Sequence, residues 1–214
     1  MRLDPDIIMI GEIRDRPSAR LAVQAAMTGH QVWSTVHANH ALAIIDRLID
    51  LEVPQLFVYD PSIVSGLICQ RLLKLLCPNC KQPLIKVMNR YPRTEVQRIA
   101  SVLPLDNVYV RGDGCSECRQ SGISGRTAVA ELIVTDETLM SLLRKNDCIE
   151  AWRYWRHELR GTTLIQNAID KIAAGRVDPF QAEEVVGLLD VGKRELDSRT
   201  MPSKQLTVVD NASA

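Results

Sequence analysis

Asp4-Pro5-Asp6-Ile7-Ile8-Met9-Ile10-Gly11-Glu12-Ile13-Arg14-Asp15 begins with two acids around a proline, passes through an unbroken apolar run and ends in charge. Continuous apolarity, rather than alternation, predicts a strand buried on both faces, as in a parallel sheet covered by helices. The carboxyl end of such a strand faces the ligand crevice of an open α/β sheet, and Glu12 falls there. Asp15 reads as the cap of the next helix, with Pro17 in its first turn. Leu21, Ala22, Ala25 and Ala26 give that helix one apolar face, and Gly29 ends it.

Val32 to Val36 predicts a second strand, ending among Thr35, His37 and Asn39. A helix through Leu42, Ile45, Leu48 and Ile49 follows, so the order is strand, helix, strand, helix. That order predicts an α/β fold with a parallel sheet. Asp60-Pro61 is expected to open another helix, carrying Ile63, Val64, Leu67, Ile68, Leu72, Leu75 and Leu76. The two strand ends would bring Glu12, His30 and His37 near one another. A carboxylate there can orient water or take its proton, an effect of ~10²–10⁴-fold in rate. An imidazole can donate to developing charge on phosphate. The same spacing also allows Glu12 and Asp15 to pair with Arg14 or Arg16 on a solvated turn. His40 and His157 read as surface or core residues.

Cys77-Pro78-Asn79-Cys80 and Cys115-Ser116-Glu117-Cys118 are two C-x-x-C pairs, 34 residues apart. Each can present two thiolates to one tetrahedral Zn²⁺. A redox dithiol needs only one such pair and a thioredoxin-like setting, and a disulfide clamp does not suit a reducing compartment. Cys77, Cys80, Cys115 and Cys118 are therefore the expected ligands of a closed, structural zinc site. Between the knuckles, Thr94 to Leu103 predicts a helix with Val96, Ile99, Ala100 and Leu103 inward, and Val108 to Val110 a strand. Cys69 is placed on the apolar helix before the first knuckle and Cys148 on a polar turn, both as inert thiols.

The 214 residues carry 26 basic and 26 acidic side chains, which argues against a strongly basic nucleic-acid binder. Only residues 77–122 are basic, with 7 basic against 4 acidic side chains, so that stretch is treated as a subdomain. A hydrophobic share of 46% with 24% charged residues suits a globular chain rather than a disordered one. No apolar run approaches the roughly 20 residues of a membrane span and no signal peptide opens the sequence, so a cytosolic location is expected. Gly125 to Leu132 predicts a return strand. Helices near 136–146, 149–160, 162–174 and 179–187 follow, the last capped by Asp178 with Pro179 first and Gln181 third. The Trp152 and Trp155 pair, with Tyr154, offers a partner patch, but Trp152, Trp155 and Leu159 share one helix face, which favours core packing. Residues 188–214 lack helical period and are expected to be a disordered tail.

Leu3 to Asp15 resembles the Walker B segment of the type II secretion and type IV pilus assembly ATPases. Ala25-Ala26-Met27-Thr28-Gly29-His30-Gln31-Val32-Trp33-Ser34-Thr35-Val36-His37-Ala38-Asn39 resembles their histidine box, in the right order. The likeness extends through the cysteines to about residue 187. It implies the carboxyl-terminal half of a RecA-like core (1–76), a tetracysteine zinc insert (77–122), a return strand with a helical subdomain (123–187) and the tail (188–214). It implies ATP with Mg²⁺ as nucleotide, a homo-hexameric ring, and an inner-membrane platform protein as partner, with the chain peripheral to that membrane. Glu12 corresponds to the acid that activates water and His37 to the residue near the γ-phosphate, while His30, Thr28 and Thr35 shape the region. Gly11 stands where many Walker B strands carry a metal-binding Asp, so contact of Glu12 with Mg²⁺ is expected to be indirect. The tetracysteine element favours assembly or secretion over retraction.

A phosphate loop of the form G-x-x-x-x-G-K-[ST] does not occur in the sequence. Gly187-Leu188-Leu189-Asp190-Val191-Gly192-Lys193-Arg194 matches until its last position, where Arg194 replaces the hydroxyl, and it follows a helix rather than a strand. The chain therefore reads as the carboxyl-terminal portion of such an ATPase, inactive alone. The alternative is a zinc-stabilised, non-catalytic docking module for the platform or for full-length subunits. A zinc-ribbon nucleic-acid binder fits the basic segment but not the neutral whole.

Overall fold

The computed structural model describes residues 5–191, and Gly192, Lys193 and Arg194 of the decoy loop and most of the expected tail lie outside them. The chain divides into two compact units. One takes in the described residues up to Leu73 together with Arg126–Asn167, and the other Lys74–Gly125 together with those from Ala168 on. The division splits the helical end between Asn167 and Ala168.

In the first unit, β1 (Ile7–Ile10) leads into α1 (Arg16–Met27) and then β2 (Gln31–Ser34). β1 and β2 are parallel, with Ile7 opposite Gln31 and Met9 opposite Trp33, as the strand–helix–strand order predicts. The α1 start is built as the sequence indicates: the Asp15 carboxylate accepts the Ser18 N–H at 2.9 Å, and Pro17 sits in the first turn. Gly29 adopts φ +89, the left-handed exit that ends the helix. β1 is not buried on both faces, because Ile7 is 60% and Met9 74% exposed. The described residues place only β2 beside it, so one face of the pair stays open.

α2 (Ala43–Asp50) and the single turn α3 (Gln55–Val58) follow. The helix expected after Asp60-Pro61 is instead a turn and a long strand, β3 (Gly66–Leu76). Leu67, Cys69 and Leu73 are buried at even spacings, the period of a strand, whereas Ile68 and Leu72 point outward. Cys69 thus sits on a strand. β3 pairs with β6 (Ile123–Val134). The pair is antiparallel, since Thr135 N–H reaches Ser65 O (3.2 Å) while Ser124 Oγ, at the far end, donates to Leu76 O (3.0 Å).

Helices α6 (Glu137–Arg144) and α7 (Cys148–His157) form a hairpin. Asp136 caps α6 through Leu139 N–H (2.7 Å) and accepts Tyr154 Oη–H (2.8 Å). Trp155 is buried and donates its indole N–H to Leu132 O, the packing role expected of it. α8 (Leu164–Ala173) starts in the first unit.

The second unit contains β4 (Gln82–Pro83), α4 (Leu84–Val87), α5 (Arg93–Val102) and β5 (Tyr109–Val110), with α9 (Pro179–Val186) from the end of the chain. Leu84, Ile99, Val108 and Val110 form its core. Ile99 and Leu103 face inward as expected, but Ala100 is exposed. Asp178 caps α9 through Phe180 and Gln181 N–H, yet Gln181 Oε1 is buried without a partner, so the reciprocal arm of the box is missing. Arg98 on α5 grips Glu183 on α9 through Nε (3.0 Å) and Nη2 (2.5 Å). Leu188 to Val191 continue as structure, with Leu189 fully buried, so the expected tail does not begin at 188.

Candidate functional site

Glu12 follows β1 by two residues, and its carboxylate is the hub of a small charged cluster. Arg14 forms an ion pair with Oε2, and His37 Nε2 lies 2.8 Å from Oε1. The Arg14 hydrogen bond holds the Glu12 carboxyl below the usual carboxylate range, against a smaller opposing effect of burial. Glu12 is therefore ionised at neutral pH and positioned to accept a hydrogen bond, at some cost in basicity. Each of the two readings left open by spacing is met in part: Glu12 meets His37 and also pairs with Arg14, whereas Asp15 accepts from Ser18 and Arg16 pairs with Glu52.

The loop that carries His37 is tied to the end of β1. Ile13 N–H donates to Thr35 O, and Thr35 Oγ1 donates to Gly11 O, both at 2.8 Å. Thr35 thus holds the two strand ends together. His30 does not join this cluster by any hydrogen bond; its Nδ1 lies 2.9 Å from Thr28 Oγ1 and 3.1 Å from Ala25 O. Thr28 also donates to Ala25 O, so Thr28 and His30 close the end of α1. His40 Nδ1 accepts Ala43 N–H at the start of α2, and His157 is exposed.

The second cluster brings Cys77, Cys80, Cys115 and Cys118 together, with all four sulfurs within 4.8 Å of one another. Three edges are 3.7 Å (Cys77–Cys115), 3.8 Å (Cys80–Cys118) and 3.7 Å (Cys115–Cys118). A regular tetrahedron with metal–sulfur distances of ~2.3 Å has edges of ~3.8 Å, so the sulfurs fit a four-thiolate zinc site. Backbone N–H groups of Cys115 (3.2 Å) and Gly122 (3.1 Å) point at Cys118 Sγ. Burial by itself would raise the Cys118 thiol, but these donors and the neighbouring thiols bring it down to about 6. Cys80 is pushed up to about 12, first by burial and then by the thiols of Cys77, Cys118 and Cys115. The set thus already favours negative charge at one corner.

Two glycines build the knuckles, and neither was singled out in the sequence. A Cβ on Gly112 would lie 1.8 Å from Cys80 O, so only glycine lets the two segments meet. Gly122 has φ +70, the turn that aims its N–H at Cys118 Sγ. The signal was the density of glycine at 112, 114 and 122 around the second knuckle. Cys69 is buried and Cys148 exposed, both apart from the cluster.

The family described as Type II/IV secretion system protein matches residues 1–188. The chain is 41% identical over 143 residues to Type II secretion system protein E of Pseudomonas aeruginosa, covering 67% of this chain and 27% of that protein. It is 35% identical over 179 residues to Type II secretion system ATPase E of Vibrio cholerae, covering 82% of this chain and 33% of that one. Type IV pilus assembly ATPase TfpB of Acinetobacter baylyi is 39% identical over 143 residues, covering 67% and 24%. The chain thus spans roughly a quarter to a third of the length of these relatives. In three dimensions it resembles the ATPase DotB of Legionella pneumophila, with a TM-score of 0.52 at 21% identity over 86% of this chain and 39% of that one. That likeness concerns the fold alone.

Proposed function

The chain belongs to the type II/IV secretion system protein family, and on that premise we propose that it supplies the water-activating side of an ATP-hydrolysing motor for pseudopilus or type IV pilus assembly. The observation that carries the reading is the meeting of Glu12 and His37 at the paired ends of β1 and β2. Glu12 orients and deprotonates the attacking water, and His37 donates toward the γ-phosphate of ATP bound with Mg²⁺. Thr35 keeps the two strand ends in register, while Thr28 and His30 shape the turn that leads into β2. The working assembly is a homo-hexamer on the cytoplasmic side, reaching the inner membrane through a platform protein. Among the described residues no helix is long and apolar enough to cross a membrane itself.

Zinc held by Cys77, Cys80, Cys115 and Cys118 is structural in this reading, because four thiolates leave no position for substrate. These 214 residues hold no loop of the form G-x-x-x-x-G-K-[ST], so by themselves they are expected not to turn over ATP. The test is a chimera in which residues 1–188 replace the matched segment of the Vibrio cholerae ATPase. It should hydrolyse ATP, and Glu12→Gln should lower kcat by ~10²–10⁴-fold. A folded chimera whose rate is indifferent to Glu12→Gln would refute the assignment.

A further inference from the structure

The His37 side chain is 89% exposed, so packing does not hold it beside Glu12. Its place is set by the backbone on either side. The amino side is fixed by Thr35, as described above. The carboxyl side runs through Asn39 and Ala41 to α2, with no strand or helix of its own.

β3 and β6 reach this side. Along β6, Val129 and Ile133 are fully buried, and Glu131 lies between them on the same core-facing register. Along β3, Arg71 occupies the corresponding place between Cys69 and Leu73. Charged residues on the core face of a strand are uncommon unless their hydrogen bonds are met. Both reach the loop that follows His37, and Arg71 Nη1 also donates to Gln70 O at 3.0 Å. Glu131 Oε2 accepts Ala41 N–H at 3.2 Å, and Oε1 faces Leu164 N–H, the first residue of α8, at 3.4 Å. Arg71 Nη2 donates to Asn39 O at 3.2 Å, and Cys69 Sγ–H lies 3.6 Å from the same oxygen. Ala41 is fully buried at the point of attachment.

We propose that Glu131 is a positioning residue for His37: its carboxylate, seconded by Arg71, pins the loop at Ala41 and Asn39 and so holds the imidazole against Glu12. The inference rests on the role given to His37 above. It assigns a catalytic consequence to two residues that act through the loop.

Glu131→Gln is the informative change, being isosteric. An amide has one acceptor oxygen and turns an NH₂ toward the other donor, so one of the two N–H groups is left facing a donor. In the ¹⁵N-labelled 214-residue chain, exchange of the Ala41 amide should accelerate about tenfold or more, the scale of one hydrogen bond to an ionised acceptor. The nuclear Overhauser contact between the His37 ring and Glu12 should vanish, while Ile8 and Trp33 amides in the sheet stay within about twofold. Unchanged Ala41 exchange, or equal acceleration throughout the sheet, overturns the proposal. Should Glu131→Gln fail to fold, Arg71→Met decides: loss of the His37–Glu12 contact with an intact sheet supports the anchor, and its retention refutes it. In the chimera, Glu131→Gln should lower kcat about tenfold with KM for ATP within about twofold, and should have no further effect once His37 is Ala. Equal losses with and without His37 overturn it. An unsubstituted chimera without ATPase activity would instead count against the proposed function, while amide exchange still decides whether Glu131 holds the loop.

Discussion

Replacing Cys77 with Ser tests the metal site most directly. The three sulfur edges of 3.7, 3.8 and 3.7 Å correspond, divided by the tetrahedral ratio of ~1.63, to a central atom ~2.3 Å from each sulfur. That is a zinc–thiolate bond length. Structural zinc is worth ~10–16 kcal/mol of apparent binding in finger peptides, against ~5–15 kcal/mol for the stability of a whole domain. Around the knuckles the backbone runs in short turns: Gly112, Gly114 and Gly122 lie there, and Arg119 and Gln120 have positive φ. Loss of one ligand should therefore release the metal and free the segment 112–122. Leu84, Ile99 and Val108 have a core of their own and should loosen less. The assay combines metal analysis with amide exchange. Wild type should carry one zinc per chain and Cys77→Ser none, with the Gly122 amide losing its protection first because its N–H points at Cys118 Sγ. Acid should act in the same direction. Metal-free Cys80, pushed up to about 12, must give up a proton on binding, whereas Cys118, brought down to about 6, has largely done so at neutral pH. Falling pH thus returns protons to the thiolates and weakens zinc binding. Full zinc content in Cys77→Ser, or zinc-free wild type with unchanged Gly122 protection, would refute the reasoning.

Asp178→Ala should destabilise the chain by about 2–4 kcal/mol in urea unfolding, adding a lost helix cap of about 1 kcal/mol to an unsatisfied Arg111 N–H worth about 1–3 kcal/mol. Gly112→Ala should abolish zinc retention in metal analysis even though every ligand is kept, because its Cβ would sit 1.8 Å from Cys80 O. Asp15 is held below the usual range by the Ser18 N–H and then the Ser18 hydroxyl, so its contribution is present above the unfolded value and is lost as pH falls through the folded one. The gap in melting temperature between wild type and Asp15→Asn should accordingly narrow from pH 6 toward pH 3, and a constant gap would contradict the cap.

Much of the architecture was legible because its causes are local. Asp15 and Pro17 open α1, Gly29 closes it, and the Asp178 carboxylate caps α9 by accepting the backbone N–H groups two and three residues further on. Further along the chain the local signals conflict. Ile63 to Leu76 offers apolar residues at helical spacings, yet the same letters alternate in burial as β3. The decision belongs to β6, some 50 residues further on, whose backbone satisfies the β3 groups. Likewise the apolar run at Ile7 to Ile10 announced a strand but not its exposure, which depends on what lies against its open face.

Sequence alone determined the chemistry available to this protein: a carboxylate after a strand, a histidine after the next, and four cysteines in two pairs. These follow from residue identity and short spacing, which the chain carries whatever its conformation. Tertiary structure alone decided which of these groups meet. It set His37 rather than His30 against Glu12 and brought Glu131 and Arg71 to the loop behind His37. The contacts of Glu131 and Arg71 with that loop join residues 90 and 32 positions apart, whereas the meeting of Glu12 and His37 rests on the β1–β2 pairing and on Thr35. No periodicity within a single element encodes such a meeting.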